Sequence, residues 1–300
     1  MSRTQKLFFG TLLQAAVLSC LVACGDDDTS FAPRDGESGG GGQTPGTVVN
    51  LTELWKLECN EKNKDDTVLV RFEEGKWFCD GKSWVQTALP LDISPFNPDI
   101  TYGTLEDDRD GHVYKTVEIG SQTWMAENLN YIPDQHDSSS CFKGDSLYCE
   151  VYGRLYTWAS AIGMDESDCG KGLDCEYDRI QGVCPDGWHL PSEAEFDTLV
   201  AFVGGYAFGG TKLKSARRWR AMGYGTDDVG FSAIPAGFKI AWGSSTADGD
   251  YSLGDETQIW SSTQASTTNV FMLHLTQNET EAIRLQGLKD ELSSVRCLKD

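Results

Sequence analysis

Glu193 and Glu195 are the sequence's most suggestive pair of carboxylates, lying in Leu190-Pro-Ser-Glu-Ala-Glu-Phe196. Two nearby carboxylates can share acid and base roles in glycoside hydrolysis, and His189 stands just upstream. The same residues also write a helix start. Ser192 at the N-cap and Glu195 three positions on form a capping box, and the helix dipole favours both acids there. Capping accounts for both glutamates, so no catalytic residue is assigned. His189, between Trp188 and Leu190, reads as a packed, hydrogen-bonded histidine rather than a base. No G-x-S-x-G nucleophile elbow occurs. Three acidic loops could offer oxygen ligands to Ca²⁺: Asp107-Asp-Arg-Asp-Gly111, Thr226-Asp-Asp228 and Asp248-Gly-Asp250. The first reads better as a β-turn, because Ile119 stands where a calcium loop would need a glutamate. Asp227 and Asp228 remain the candidate Ca²⁺ pair, against the alternative of a solvated turn. No other cofactor is expected. Of the tryptophans, Trp219 and Trp242 lie in the least apolar surroundings, and they are the candidate exposed ligand-binding surface.

Ten cysteines are present. Cys24 closes Leu21-Val22-Ala23-Cys24 after basic Arg3 and Lys6 and an apolar run from Leu7 to Val22. That run is too short, and too polar at Gln14, for a membrane span. The pattern looks like a bacterial lipobox. Residues 1–23 are then a signal peptide, and the Cys24 thiol is the nucleophile that takes the lipid. Two or more acyl chains make such an anchor stable. Gly25 to Asn50, with Asp26-Asp-Asp28 and Gly39-Gly-Gly-Gly42, reads as a flexible tether. Its acidic start is either a surface-export signal or a solvated spacer. Cys20 leaves with the signal. The remaining eight cysteines suit four disulfides in an exported protein. Sequential pairing is expected: Cys59–Cys79, Cys141–Cys149, Cys169–Cys175 and the long-range Cys184–Cys297.

The 300-residue chain carries a net charge of −21. That balance excludes nucleic-acid binding, which needs clustered cations, and a polybasic membrane surface. Enough apolar and aromatic side chains are present for a packed core. Residues 51–88 form a small β-module, with a hairpin expected around Glu73-Glu-Gly75. A Cys59–Cys79 staple and a core of Trp55, Trp77 and Trp84 would hold it. The proline-bearing stretch 89–103 reads as a linker, and 104–300 as the main domain. In that domain Val113–Ile119 is an expected strand and Tyr152–Ile162 a short helix. A second helix follows Ser192, with Phe196, Leu199, Val200 and Val203 on one face. Short strands are expected at 231–234, 259–262, 270–275, 282–285 and 294–298. The fold class is α+β.

The main domain resembles the Fibrobacter succinogenes major paralogous domain. Asp110-Gly-His-Val-Tyr-Lys-Thr-Val-Glu-Ile-Gly-Ser-Gln-Thr-Trp-Met-Ala-Glu-Asn-Leu-Asn130, Tyr152-Gly-Arg-Leu-Tyr-Thr-Trp158 and Cys184-Pro-Asp-Gly-Trp-His-Leu-Pro-Ser-Glu-Ala-Glu-Phe196 carry the likeness. Gly210–Ser215, Gly230–Gly237, Trp260–Thr263 and Ser294–Cys297 continue it in order. The resemblance implies a secreted or surface bacterial protein, often a lipoprotein, with no established activity. More distantly, Leu190–Phe196 looks like the formylglycine-generating-enzyme-like, C-type-lectin-type fold. That likeness implies a lectin-like domain of two short helices and several short antiparallel strands, whose first and last strands pair. It implies no sugar site, because the Trp-Asn-Asp motif is absent, and no oxidase site. The expected protein is a non-enzymatic lipoprotein at the surface of a bacterial outer membrane, with a partner that is plant polysaccharide or a surface protein. A polysaccharide hydrolase using carboxylates of the 226–256 loops is the alternative, and a structural envelope protein is a third.

Overall fold

A computed structural model describes residues 46–48, 51–70, 75–88, 94–133, 138–175, 180–219, 225–240 and 250–300. The signal, Cys24, most of the tether, Trp242 and Asp248 lie outside the described residues. The chain divides into two units, Met1–Gly40 and Gly41–Asp300, and everything described belongs to the second.

The β-module comprises β1 (Thr47–Val48), α1 (Leu51–Leu54), β2 (Thr67–Val70), β3 (Gly75–Cys79) and β4 (Trp84–Ala88). These strands form one sheet in sequence order, with β1 parallel to β2 and the other pairings antiparallel. Cys59 is bonded to Cys79. Leu54, Val68, Val70, Cys79 and Trp84 build its core, and Trp84 Nε1 donates to Leu57 O at 3.0 Å. Trp55 is not part of that core. It is 57% exposed and meets Trp77 edge to face.

The main domain opens with β5 (Gly103–Asp107), β6 (His112–Ile119) and β7 (Gln122–Met125), an antiparallel meander. Then come β8 (Ser139–Ser140), α2 (Ser146–Tyr152), β9 (Leu155–Tyr156), α3 (Trp158–Ala161), α4 (Glu166–Cys169) and β10 (Trp188–His189). Two longer helices follow, α5 (Glu193–Phe202) and α6 (Tyr206–Leu213). The last third holds β11 (Phe238–Lys239), β12 (Asp250–Tyr251), β13 (Glu256–Gln264), β14 (Asn269–Thr276), β15 (Ile283–Leu288), β16 (Ser293–Ser294) and β17 (Leu298–Lys299).

Two larger sheets organise all of these strands except β11 and β12, which pair with each other in a two-stranded antiparallel sheet. One is five-stranded, in the order β10-β17-β7-β6-β5, and the other six-stranded, β15-β14-β13-β16-β9-β8. The final strand β17 enters the first sheet between β7 and β10, with Leu298 opposite Trp124. The 184–297 disulfide fastens the chain beside that strand. Strand β6 shows the period of two that a sheet between two cores requires. Tyr114 joins a cluster around Trp158, Trp188 and Trp260. Val117 and Ile119 join the other, around Trp124, Phe196, Trp219 and Phe231.

Several elements depart from expectation. The expected Tyr152–Ile162 helix is a helix end, a strand and a new helix. Gly153, at φ 79°, stops α2, and a Cβ there would fall 2.9 Å from Asn128 O. Phe231–Ile234 is buried but irregular, and among the described residues its one β-type pairing is the isolated Lys214–Ala233 bridge. Helix α6 was not expected, because Gly209 and Gly210 weaken its helical pattern. A Cβ on Gly210 would sit 2.1 Å from Glu281 O, so that close approach requires glycine. The described part of the 89–103 stretch is irregular up to Tyr102, with Gly103 already in β5, yet it packs. Phe96, Ile100 and Tyr102 lie against the Trp124 cluster.

Candidate functional site

A cleft of about 310 Å³ opens where β6, the segment after β7, and the end of α2 converge. Strand β6 supplies His112, Tyr114 and Lys115, and α2 supplies Glu150 and Tyr152. The alternation of β6 buries Tyr114 and turns Lys115 to the other face, while His112, on the face of Tyr114 but at the start of the strand, is exposed. The His112 and Tyr114 rings, two residues apart on one face, meet with centroids 4.4 Å apart. Lys115 Nζ lies 5.1 Å from the Phe96 ring centre and 5.6 Å from that of Tyr102, a cation over two aromatic faces. Glu127 turns back to accept from Lys115 N at 2.5 Å.

The floor of the cleft is a buried polar network. Arg296 is fully buried. Its Nε donates to Asn128 Oδ1 at 2.7 Å, and its terminal nitrogens donate to Phe231 O and to Ser232 O, the latter at 3.1 Å. Its guanidinium also stands 4.6 Å from the Phe231 ring centre. Asn128 Nδ2 donates to Tyr152 O at 2.8 Å and Ser294 Oγ at 3.2 Å. Burial lowers the Arg296 pKa to about 10, against the opposing pull of the Asp227 charge. Arg218, also buried, donates to Val151 O at 3.1 Å and faces the Tyr152 ring.

Asp227 belongs to this network, and its place corrects the expected Ca²⁺ loop. It is completely buried. One carboxylate oxygen accepts from Ser232 N at 2.7 Å and the other from Ser232 Oγ at 2.6 Å. Tyr102 OH lies 3.0 Å from Ser232 Oγ, and Asn97 Nδ2 donates to Asp227 O at 2.9 Å. Asp227 therefore locks a turn and ties down the 94–102 segment. Burial raises its pKa despite the Ser232 hydrogen bonds. Asp228 is exposed. Among the described residues no group of three or more His, Cys, Asp or Glu side chains is placed to hold a metal ion.

Trp219 is corrected in the same way. It is 1% exposed, its Nε1 donates to Ala233 O at 3.0 Å, and Lys214 Nζ lies 5.2 Å from its ring centre. It is a core residue, and Trp242 lies outside the described residues. The local polarity that suggested exposure comes from buried cations. Lys214 Nζ donates to Thr276 O and Glu279 O at 2.8 and 2.9 Å, so its charge is met by carbonyls. The Asp107 turn is tied by its own neighbour, Arg109, at 2.6 Å.

The acid pair at α5 separates into two structural roles. Ser192 and Glu195 make the capping box. Glu195 Oε1 lies 3.0 Å from His189 Nε2, and His189 Nδ1 lies 2.7 Å from Asp300 Oδ1. Burial pushes the Glu195 pKa up, but hydrogen bonds from His189 and Ser192 outweigh it and hold it at about 2. A carboxylate stands between Ser192 and the imidazole, so His189 cannot take the serine proton as a triad base would. Glu193 instead pairs with Arg284 at 2.6 Å.

The eight cysteines are joined in the expected sequential pairs. Sequence reasoning missed Asn128, Tyr102, Ser232 and Arg296 as one unit. They are far apart in the chain, and although the segments holding Asn128, Ser232 and Arg296 carry the family resemblance, nothing in the sequence joins them into one network. A family model described as Fibrobacter succinogenes major domain matches residues 117–299. No curated protein matches the chain, and no solved structure does.

Proposed function

The chain belongs to the Fibrobacter succinogenes major domain family, and from that premise we propose that it is a non-catalytic binding protein of the bacterial surface. Lipid on Cys24 anchors it to the outer membrane, and the tether from residue 25 up to β1, which starts at Thr47 and is already part of the β-module, holds the folded part away from the bilayer. Its main domain is C-type-lectin-like and takes a polysaccharide ligand. The observation that carries this reading is the cleft. Aromatic rings, an ammonium and two carboxylates stand at its sides, over a floor whose polar groups are already bonded to one another. A floor satisfied in this way is rigid before the ligand arrives, which lowers the ordering cost of binding. The closure of β17 between β7 and β10 supports the lectin-like reading.

The test uses the Cys24→Ser chain, which lacks the lipid. Lys115→Ala and His112→Ala remove exposed side chains at the mouth of the cleft. Each should weaken retention on insoluble polysaccharide by about tenfold, the cost of one good contact. Undiminished retention by both would remove the cleft from the account. A hydrolase would use Glu127 and Glu150 of the same cleft. Release of soluble sugar, abolished by Glu127→Gln or Glu150→Gln, would replace the binding reading.

A further inference from the structure

A second concavity lies apart from the cleft. It is an open groove of about 690 Å³ that crosses β5, β6 and β7 beside the turn at Asp228. Four threonines line it: Thr101, Thr104, Thr116 and Thr123. None of their hydroxyls has a hydrogen-bond partner among the described residues. The same is true of the Glu118 and Asp228 carboxylates and the Lys299 ammonium, which also line it. The floor of the cleft is made of polar groups bonded to one another, whereas in this groove only Tyr102 OH is so engaged and the four threonine hydroxyls, two carboxylates and ammonium are unspent.

The groove also has a fixed aromatic wall. Phe202, the last residue of α5, is 58% exposed. Its ring rests on the β6–β7 turn, where a Cβ on Gly120 would fall 2.9 Å from Phe202 Cδ2. One face is held by the turn and the rest is offered to solvent, a platform on which an apolar ring face can stack.

We propose that this groove binds an extended, neutral polysaccharide chain, with one sugar ring stacked on Phe202 and neighbouring hydroxyls bonded to Thr101, Thr104 and Thr123. Three features select that ligand. Threonine hydroxyls donate and accept, which suits a partner rich in hydroxyls. Two carboxylates face one ammonium, on a chain of net charge −21, so an acidic polymer is repelled. The lining is spread over three strands rather than along one edge, which disfavours a peptide adding a strand to β5. The proposal does not rest on the cleft.

The experiment titrates the ¹⁵N-labelled Cys24→Ser chain with cello- and xylo-oligosaccharides, an oligogalacturonate and an extended threonine–valine repeat peptide. The neutral sugars should shift the amide signals of Thr101, Thr104 and Phe202. Phe202→Ala should weaken binding about tenfold, and Thr101→Ala/Thr104→Ala by a similar factor, with unchanged melting. Shifts confined to Lys115 and Asn130 would overturn the groove while sparing the cleft. Equal binding of oligogalacturonate, full affinity in Phe202→Ala, or no response to any sugar would also overturn it. Peptide-induced shifts along the free edge of β5, without sugar binding, would assign the surface to strand addition instead.

Discussion

Trp219 shows how a residue can be misread from its neighbours in sequence. Lys214, Arg217 and Arg218 surround it, and their charge suggests a solvent-facing loop. In the fold Lys214 and Arg218 are buried, and carbonyl oxygens and aromatic faces compensate their charge. A carbonyl that accepts from an ammonium carries no sequence signature, so that compensation could not be foreseen. Trp219→Ala should therefore act on stability rather than on ligand contact. It should lower the unfolding free energy by about 3–5 kcal/mol, as large-to-small core changes do. Denaturant titration measures this, and a stable variant with lost ligand affinity would restore the surface reading. Asp227 teaches the same point with the opposite charge. An acidic pair in a loop reads as a cation site until the buried Ser232 that satisfies it is found.

At the scale of elements, α5 was legible because its signals are local. Ser192, Glu195 and the apolar stripe lie within a few residues of one another, and the helix begins and ends close to where they place it. Helix α6 was not legible, because its glycines serve a contact with the distant 280–282 segment. The expected short strands at 259–262 and 270–275 are the middles of the longer β13 and β14, whereas the strand expected at 294–298 is interrupted, and β16 and β17 at its two ends exist only through their partners. The cleft floor joins β7's continuation, the 231–232 segment and Arg296, and no periodicity connects those stretches. One tertiary lock between elements is open to direct test. His189 of β10 links Glu195 of α5 to Asp300 next to β17. The folded Glu195 pKa is held at about 2, below its ordinary 4.5. Such a group stabilises the fold fully above pH 4.5 and loses that contribution as the pH falls toward 2. Thermal melting from pH 6 downward should show a shallower acid loss in Glu195→Gln than in the parent chain, together with a lower melting temperature at pH 6. Parallel curves would show that Glu195 ionises no more easily in the fold than in the unfolded chain.

The whole molecule combines an expected anchor and an expected tether with a stapled β-module and a disulfide-closed main domain. The Cys184–Cys297 bond, with a sequence separation of 113, closes the longest loop, and the chain-entropy account gives such a bond about 4–5 kcal/mol. That reinforcement suits an oxidising exterior. The anchor is tested by growing cells with labelled palmitate. The parent chain should carry label and fractionate with membranes, and Cys24→Ser should do neither. Label on the Cys24→Ser chain would place the lipid elsewhere. The strong negative charge opposes acidic ligands across the surface, which agrees with a neutral polymer as partner.

The most direct measurement of the central claim is depletion of the folded Cys24→Ser chain from solution by insoluble cellulose, xylan and pectin, with and without EDTA. Saturable retention on a neutral polysaccharide is expected, indifferent to EDTA because Asp227 is already committed to Ser232, with no release of soluble sugar. A folded sample that stays in solution with all three polymers would contradict it.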